Sequence, residues 1–213
     1  MANSVNVSIL GTGNVASNLA KGLSKSGYAV MLGSRTPAEA KKKMGALPAD
    51  VTVGTLKEAA KFGDVIFTAI PFASLPETIE AIGPENLRGK IIVDNTNVLT
   101  PSFEWAIGFS TSGAEELAKL VPGARVVKAF NTVFAEHMGV GTLGKEKLTV
   151  FAAGDDEASK NVVRTLAESI GFETVDAGPL KSARYLEAMG ILNITLGYGL
   201  KMGSRIGLRL VKE

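Results

Sequence analysis

The strongest constraint in this sequence is a turn. Val5–Leu10 is a short, β-branched apolar run that ends on Gly11-Thr12-Gly13-Asn14-Val15-Ala16. From Asn14 to Ser26 the apolar residues Val15, Leu19 and Leu23 then recur on one helical face. A strand, a glycine-rich turn and an amphipathic helix in direct succession open a dinucleotide-binding sheet. Gly11 can take the tight turn, and Gly13 lets the backbone approach a pyrophosphate closely. Ala16 stands where a third glycine is common and is small enough for the helix to lie on the strand. The free N–H groups of Asn14 and Val15, with the helix dipole, face the phosphates.

The rest of the chain repeats the alternation. Further strands are expected at Tyr28–Leu32, Val51–Val53, Asp64–Ile70, Lys90–Asp94 and Ala124–Phe130. Their near-continuous apolar character suits parallel strands buried on both faces. Thr36-Pro37-Ala38-Glu39, Thr55-Leu56-Lys57-Glu58 and Ser112-Gly113-Ala114-Glu115 read as capping boxes at helix starts. Two more strands, Leu148–Ala153 and Glu173–Asp176, flank an amphipathic helix over 157–170. A last helix runs from Ser182 to about Leu200 and is apolar nearly all round, which implies burial in the monomer or in a dimer interface. The fold class is therefore α/β: a Rossmann-type doubly wound, mostly parallel sheet with two additional strands and a C-terminal helix. We read residues 1–213 as a single domain, with a binding core over 1–140 and an extension over 141–213 that completes the acceptor pocket.

The end of the second strand selects the ligand. A nicotinamide site for NAD usually has Asp or Glu there to hold the ribose 2′-hydroxyl. This chain has Leu32-Gly33-Ser34-Arg35-Thr36, with no carboxylate before Ala38. Arg35 can fork onto a 2′-phosphate, with Ser34 and Thr36 as further donors, so the expected cofactor is NADP. Ligands of open α/β sheets lie beyond the carboxyl ends of the strands. The loops leaving those ends carry Ile70-Pro71-Phe72, Asp94-Asn95-Thr96-Asn97 and Asn131-Thr132-Val133-Phe134. They offer amides, hydroxyls and apolar walls to a nicotinamide; the lesser alternative for Asp94–Asn97 is a turn that only satisfies its own backbone.

Acid–base residues are few. The single His137 lies beyond the loop and reads as a solvated or helix-start residue. Lys128 sits within the sixth strand, where side-chain alternation can aim it at the wrong face. There are no cysteines, which excludes disulfides, thiolate zinc sites and thiol nucleophiles, and no His or carboxylate pattern suggests a metal. A formal net charge of +2 gives no broad field for nucleic acid or membrane, and Lys41-Lys42-Lys43 reads as a solvated helix face. Met1-Ala2-Asn3-Ser4 lacks a charged stretch before an apolar run, and Ala188–Leu200 is too short to span a bilayer, so a cytoplasmic setting is expected. Such poverty suits hydride transfer between two redox rings, where the protein mainly positions them.

Gly11-Thr12-Gly13-Asn14-Val15 with Gly33-Ser34-Arg35 and Ala69-Ile70-Pro71 resembles the NADPH-dependent reductases of the deazaflavin coenzyme F420. So do Ala153-Gly154-Asp155-Asp156, Asp176-Ala177-Gly178-Pro179-Leu180 and Ser182-Ala183-Arg184-Tyr185-Leu186-Glu187, so the resemblance covers essentially the whole chain. It implies hydride exchange between NADPH and a tricyclic ring held against the nicotinamide. By the same resemblance Thr12, Asn14, Ser34 and Arg35 bind NADP, and Ile70 and Pro71 flank the nicotinamide. Gly11, Gly13, Val15, Thr36, Asn95 and Asn131 complete the expected cofactor set, and Phe72, Thr132, Phe134 and Met189 the acceptor set. The chain departs from the archaeal pattern at Asn131 and Phe134, where histidine and proline are usual. Its Val126–Asn131 stretch is closer to the cytoplasmic reductase domains of six-transmembrane metalloreductases, which pass hydride to a flavin. The expected acceptor is accordingly F420 or a flavin (FMN or FAD), a small molecule in either case. A small carbonyl or imine reductase and a non-catalytic NADP-binding redox sensor are the competing readings. The uncharged face of the last helix, with Met189, Leu192, Leu196 and Leu200, makes a homodimer plausible.

Overall fold

A computed structural model of the chain describes residues 5–44, 47–100, 102 and 104–213. The N-terminal stretch Met1–Ser4 lies outside the described residues. Six short strands run parallel: β1 (Val7–Leu10), β2 (Val30–Ser34), β3 (Val51–Thr55), β4 (Val65–Thr68), β5 (Ile91–Asp94) and β6 (Arg125–Lys128). Helices connect them: α1 (Asn14–Lys25), α2 (Pro37–Met44), α3 (Leu56–Phe62), α4 (Leu75–Ile82) and α5 (Gly113–Leu120). A two-stranded hairpin, β7 (Thr142–Leu143) and β8 (Glu146–Lys147), precedes β9 (Thr149–Gly154), α6 (Glu157–Ile170), β10 (Glu173–Asp176) and α7 (Ala183–Ile194).

The main sheet is ordered β10-β9-β6-β5-β4-β1-β2-β3. Its parallel part has the 3-2-1-4-5-6 order of the doubly wound fold, with β1 between β2 and β4 at the point where the winding reverses. β9 joins β6 antiparallel, with Lys128 opposite Ala153 and Val127 opposite Gly154. The Asp176–Leu180 segment, reached from β10 and bonded through Gly178 to Gly154, therefore lies toward the end of the sheet away from the β6 carboxyl terminus.

Strand alternation builds two cores from one sheet. Ile9, Phe67, Val93 and Val127 point to one face, where Leu19 and Leu23 of α1 and Val163 and Leu166 of α6 cover them. Leu10, Ile66, Ile92 and Val126 point to the other, under Leu56, Ile79 and Leu117 of α3, α4 and α5. Each of these buried apolar side chains contributes about 1.5–3 kcal/mol. At the start of α3, Thr55 and Glu58 form the reciprocal box: Glu58 N–H donates to Thr55 Oγ1 at 3.2 Å, and Thr55 N–H to Glu58 Oε2 at 2.7 Å.

Several expectations change in detail. Thr36 N–H donates to Ser34 Oγ at 3.1 Å, so this hydroxyl organises the end of β2. Ser112 caps the Glu115 N–H, but the Glu115 carboxylate accepts from Ser112 Oγ and turns to Arg184. Strand β6 ends at Lys128, two residues early, because Phe130 takes φ +66°. That left-handed geometry costs a bulky residue on the order of 1–3 kcal/mol. Edge-to-face contacts with Phe67 and Phe172, each at 5.6 Å, hold it. His137 is buried in a short 3-10 turn (Ala135–His137), its ring 3.1 Å from the Ser204 carbonyl, and is not solvated. Helix α7 stops at Ile194 and continues as one π turn, Thr195–Gly199. Its burial is one-sided: Leu186, Glu187, Gly190 and Asn193 face inward, whereas Tyr185 and Leu192 are exposed. Lys41, Lys42 and Lys43 are solvent-exposed, as their pattern suggested.

Candidate functional site

The carboxyl ends of β1, β2, β4 and β5 border a groove with two lobes. The first, about 310 Å³, runs between the Gly11–Gly13 turn, the Gly33–Thr36 end of β2 and the Ala69–Pro71 loop. The second, about 290 Å³, is bounded by Gly13–Val15, Thr68–Pro71 and Asn95–Asn97. Gly13 and the Ala69–Pro71 loop belong to both, so the lobes adjoin.

Backbone chemistry shapes the shared wall. Gly11 has φ +123°, and a Cβ there would lie 2.3 Å from the Ala69 carbonyl oxygen. No side chain fits between the first turn and the β4 loop, so the two segments pack directly on each other, as only glycine allows. Helix α1 starts at Asn14 with no side-chain cap and no acidic residue in its first turn. Its first N–H groups are thus available to an anion, which the positive end of the helix favours.

The first lobe ends at Arg35, whose side chain is 73% exposed. Its nearest ionic partner is Glu77 of α4 at 4.0 Å, itself 74% exposed, so little holds the guanidinium against turning to a phosphate. Glu77 and the lining residues Ser74 and Thr78 were not singled out in the sequence, since α4 carries no motif.

The second lobe contains an unusual group. Asn95 is 7% exposed, and neither its Oδ1 nor its Nδ2 has a hydrogen-bond partner. Leaving both ends of a buried amide unpaired costs roughly 1–3 kcal/mol, unless a ligand supplies the missing donor and acceptor. Its neighbours are fully engaged. Asp94 Oδ1 accepts from Thr96 N–H (3.0 Å), Thr96 Oγ1 (2.8 Å) and Thr68 Oγ1 (3.2 Å). This is the self-satisfying turn foreseen for Asp94–Asn97, yet it leaves Asn95 displayed.

Behind the loop lies a buried ionic cluster. Lys128 Nζ donates to Asp94 Oδ2 at 2.9 Å and to the Thr96 carbonyl at 2.8 Å, and lies 3.0 Å from Glu187 Oε1 on α7. The three side chains are at most 1% exposed. Glu187 also accepts from the Gly113 and Ala114 N–H groups at the start of α5. Burial alone would push the Lys128 ammonium down; Asp94 and Glu187 more than reverse this and hold it above the usual lysine range. Sequence reasoning named Asp94 only as part of the Asp94–Asn97 loop and Glu187 only within a family segment, and gave neither a charged partner. No local signal marks the cluster: Arg125 shares β6 with Lys128 and Arg184 shares α7 with Glu187, so neither segment shows a single charge that demands a buried partner.

The third loop is placed differently from expectation. Asn131 Nδ2 donates to the Leu186 carbonyl at 2.7 Å, and Asn193 Nδ2 donates to the Thr132 carbonyl at 3.1 Å. Both bonds fasten α7 over the loop, and Gly190 lets it approach: a Cβ there would meet Asn97 Oδ1 at 2.5 Å. Phe134 packs edge-to-face on Tyr198 of the π turn. Asn131, Thr132 and Phe134 are thus covered by α7 and its continuation and line neither lobe. Phe72 reaches toward Gly113, and Met189 is half-buried on α7, both outside the two lobes. The structure gathers Gly11, Thr12, Gly13, Ser34, Arg35 and Thr36 in the first lobe; Asn14, Val15 and Asn95 join in the second, and Ile70 and Pro71 in both. Among the described residues no group of three or more His, Asp or Glu could hold a metal, and no helix is long and apolar enough to cross a membrane.

Comparison with known proteins follows the same lines. Residues 6–98 match the family described as NADP oxidoreductase, coenzyme F420-dependent. The chain is 30% identical to the F420-dependent NADP reductase of Methanocaldococcus jannaschii, over 94% of this chain and 95% of that protein. It is 36% identical to metalloreductase STEAP3 of Rattus norvegicus over 86% of its own length, but spans only 36% of that protein. A crystal structure from Arthrobacter sp. FB24, assigned as an F420-dependent NADP-reductase, superposes with a TM-score of 0.87 at 27% identity, covering 98% of this chain and all of that one.

Proposed function

Because the chain belongs to the coenzyme F420-dependent NADP oxidoreductase family, and is an NADP-dependent oxidoreductase, we propose that it moves a hydride between NADP(H) and a deazaflavin or flavin ring. The observation that carries this is the groove itself. One lobe ends on an exposed arginine without a neighbouring β2 carboxylate, and the other ends on a buried amide with both functions free.

The residues fit the cofactor in that direction. Arg35 forks onto the 2′-phosphate, with Ser34 and Thr36 beside it. The Gly11–Gly13 turn and the start of α1 receive the pyrophosphate. Asn95, with one free donor and one free acceptor end, matches the acceptor and donor of a carboxamide. Ile70 and Pro71 form an apolar wall that excludes water from the reacting face. The bound nicotinamide supplies the redox chemistry, and the protein supplies orientation and a dry surface. No residue on either lobe is a placed general acid, which favours a ring acceptor that needs none over a carbonyl or imine.

The extension over 141–213 limits the acceptor side through α7. An acceptor ring placed against the nicotinamide contacts groups near the Asn95–Asn97 loop, where α7 approaches. Rapid mixing of the protein and NADPH with F420, FMN and FAD tests the proposal. Oxidation of NADPH with at least one of them at a rate far above the protein-free mixture is expected. NADPH that binds but is oxidised by none of the three points to a non-catalytic NADP-binding module instead.

A further inference from the structure

The Lys128 cluster does more than tie two elements together, because its charges do not cancel. It holds two carboxylates and one ammonium. Every contact to the carboxylates comes from a donor: Asp94 accepts from Thr68, Thr96 and Lys128, and Glu187 from Gly113 N–H, Ala114 N–H and Lys128. Counted as formal charges, two carboxylates against one ammonium leave one negative charge over. The α5 amino terminus offsets roughly half a unit of it. No solvent reaches the three side chains, so the remainder is poorly screened. The Asp94 carboxylate lies directly behind Thr68 and Thr96, which line the second lobe.

We propose that this buried cluster, Lys128, Asp94 and Glu187, discriminates between the redox states of the cofactor. Its surplus negative charge stabilises the cationic nicotinamide of NADP⁺ over the neutral ring of NADPH. This rests on the reading above that the nicotinamide end occupies the Asn95 lobe. Glu187 makes α7 part of that control: it contributes the surplus charge from outside the parallel sheet, through Lys128, without lining the groove. The cluster is thus a positioning and tuning device and not a catalytic one, and the consequence is a lower reduction potential for bound NADP⁺ than for the free cofactor.

The test is a set of dissociation constants, measured calorimetrically for NADP⁺, NADPH and 2′,5′-ADP. The last compound carries the Arg35-binding phosphate and no nicotinamide. Glu187→Gln keeps the shape and removes the surplus charge. It is expected to raise the ratio Kd(NADP⁺)/Kd(NADPH) about three- to tenfold, the size expected of one partly offset charge at an effective dielectric near 20. 2′,5′-ADP binding should stay within twofold. Asp94→Asn neutralises the cluster from its other end and should move the ratio in the same direction; it serves if Glu187→Gln does not fold. An unchanged ratio in a folded variant, or equal weakening of both dinucleotides, overturns the inference and leaves the assigned cofactor standing. Failure of the wild-type protein to bind either dinucleotide removes the reading beneath it as well.

Discussion

Two polar regions lie within one loop of each other and obey opposite rules. In the groove, polar groups are left incomplete: Arg35 is exposed with a distant partner, and Asn95 is buried with none. In the Lys128 cluster every donor and acceptor is matched, in a place that solvent does not reach. Incomplete groups cost stability and are tolerated where a ligand completes them; complete ones are costly to disturb and fix geometry. The contrast separates what binds from what holds.

Breaking the holding side should have the largest effect. Lys128→Met leaves Asp94 and Glu187 buried without a counter-charge, a defect of about 3–5 kcal/mol. Urea unfolding should show that loss, with NADPH recovering part of it by mass action. A loss below about 1 kcal/mol would mean that the cluster is hydrated and the contrast false.

On the binding side the costs fall on the ligand and not on the fold. Arg35→Ala removes a charge-assisted contact worth about 1.5–3 kcal/mol, so NADPH should bind roughly 10- to 100-fold more weakly while NADH binding barely changes. Thermal stability without ligand should not fall, because the side chain is exposed. Equal losses for NADPH and NADH would place the 2′-phosphate elsewhere.

Legibility in the sequence divides along the same boundary. The groove was readable because its parts are local: Gly11-Thr12-Gly13 is a turn between a strand and a helix, and Ser34-Arg35 ends the next strand. Strand alternation likewise gave the two-faced sheet, since Ile9 and Leu10, or Ile66 and Phe67, had to part company. The cluster was unreadable because its partners are far apart in sequence: Asp94 and Lys128 are separated by 34 residues, and Glu187 lies on an element whose seat depends on tertiary packing. Asn131 shows the limit most plainly. Its type and its place at a strand end suggested a ligand contact, but Phe130 with its positive φ turns the chain so that the amide meets α7. The β7–β8 hairpin escaped for a simpler reason: two-residue strands carry no periodicity.

Asn95→Ala refines the contrast by joining both ledgers in one residue. Deleting an unpaired buried amide should leave the unliganded protein as stable as wild type or more stable by up to about 1 kcal/mol. The same change should weaken NADPH about three- to tenfold and leave 2′,5′-ADP unaffected, since only the nicotinamide end loses a partner. Lower stability in the free protein would show that the amide has an internal partner and that the second lobe has another purpose.

The smallest effect is the most pointed, because it compares two ties between the same pair of helices. Glu187 joins α7 to the start of α5 out of solvent, and Arg184 joins them at the surface through Glu115, with Nη2 2.7 Å from Oε1. The Arg184 hydrogen bond holds the Glu115 carboxyl below its ordinary 4.5, with partial burial opposing and Ser112 assisting. A carboxylate lowered on folding contributes stability that is complete above its unfolded value and lost as the pH falls through the folded one. Glu115→Gln should therefore reduce stability at pH 7 by less than about 1 kcal/mol, an effect that shrinks further in high salt. As the pH falls below 4.5 the gap between the variant and wild-type unfolding curves should narrow. If a gap well above about 1 kcal/mol appears at pH 7 and resists high salt, the bridge is better sealed than its 22% exposure indicates, and the surface tie belongs with the buried one.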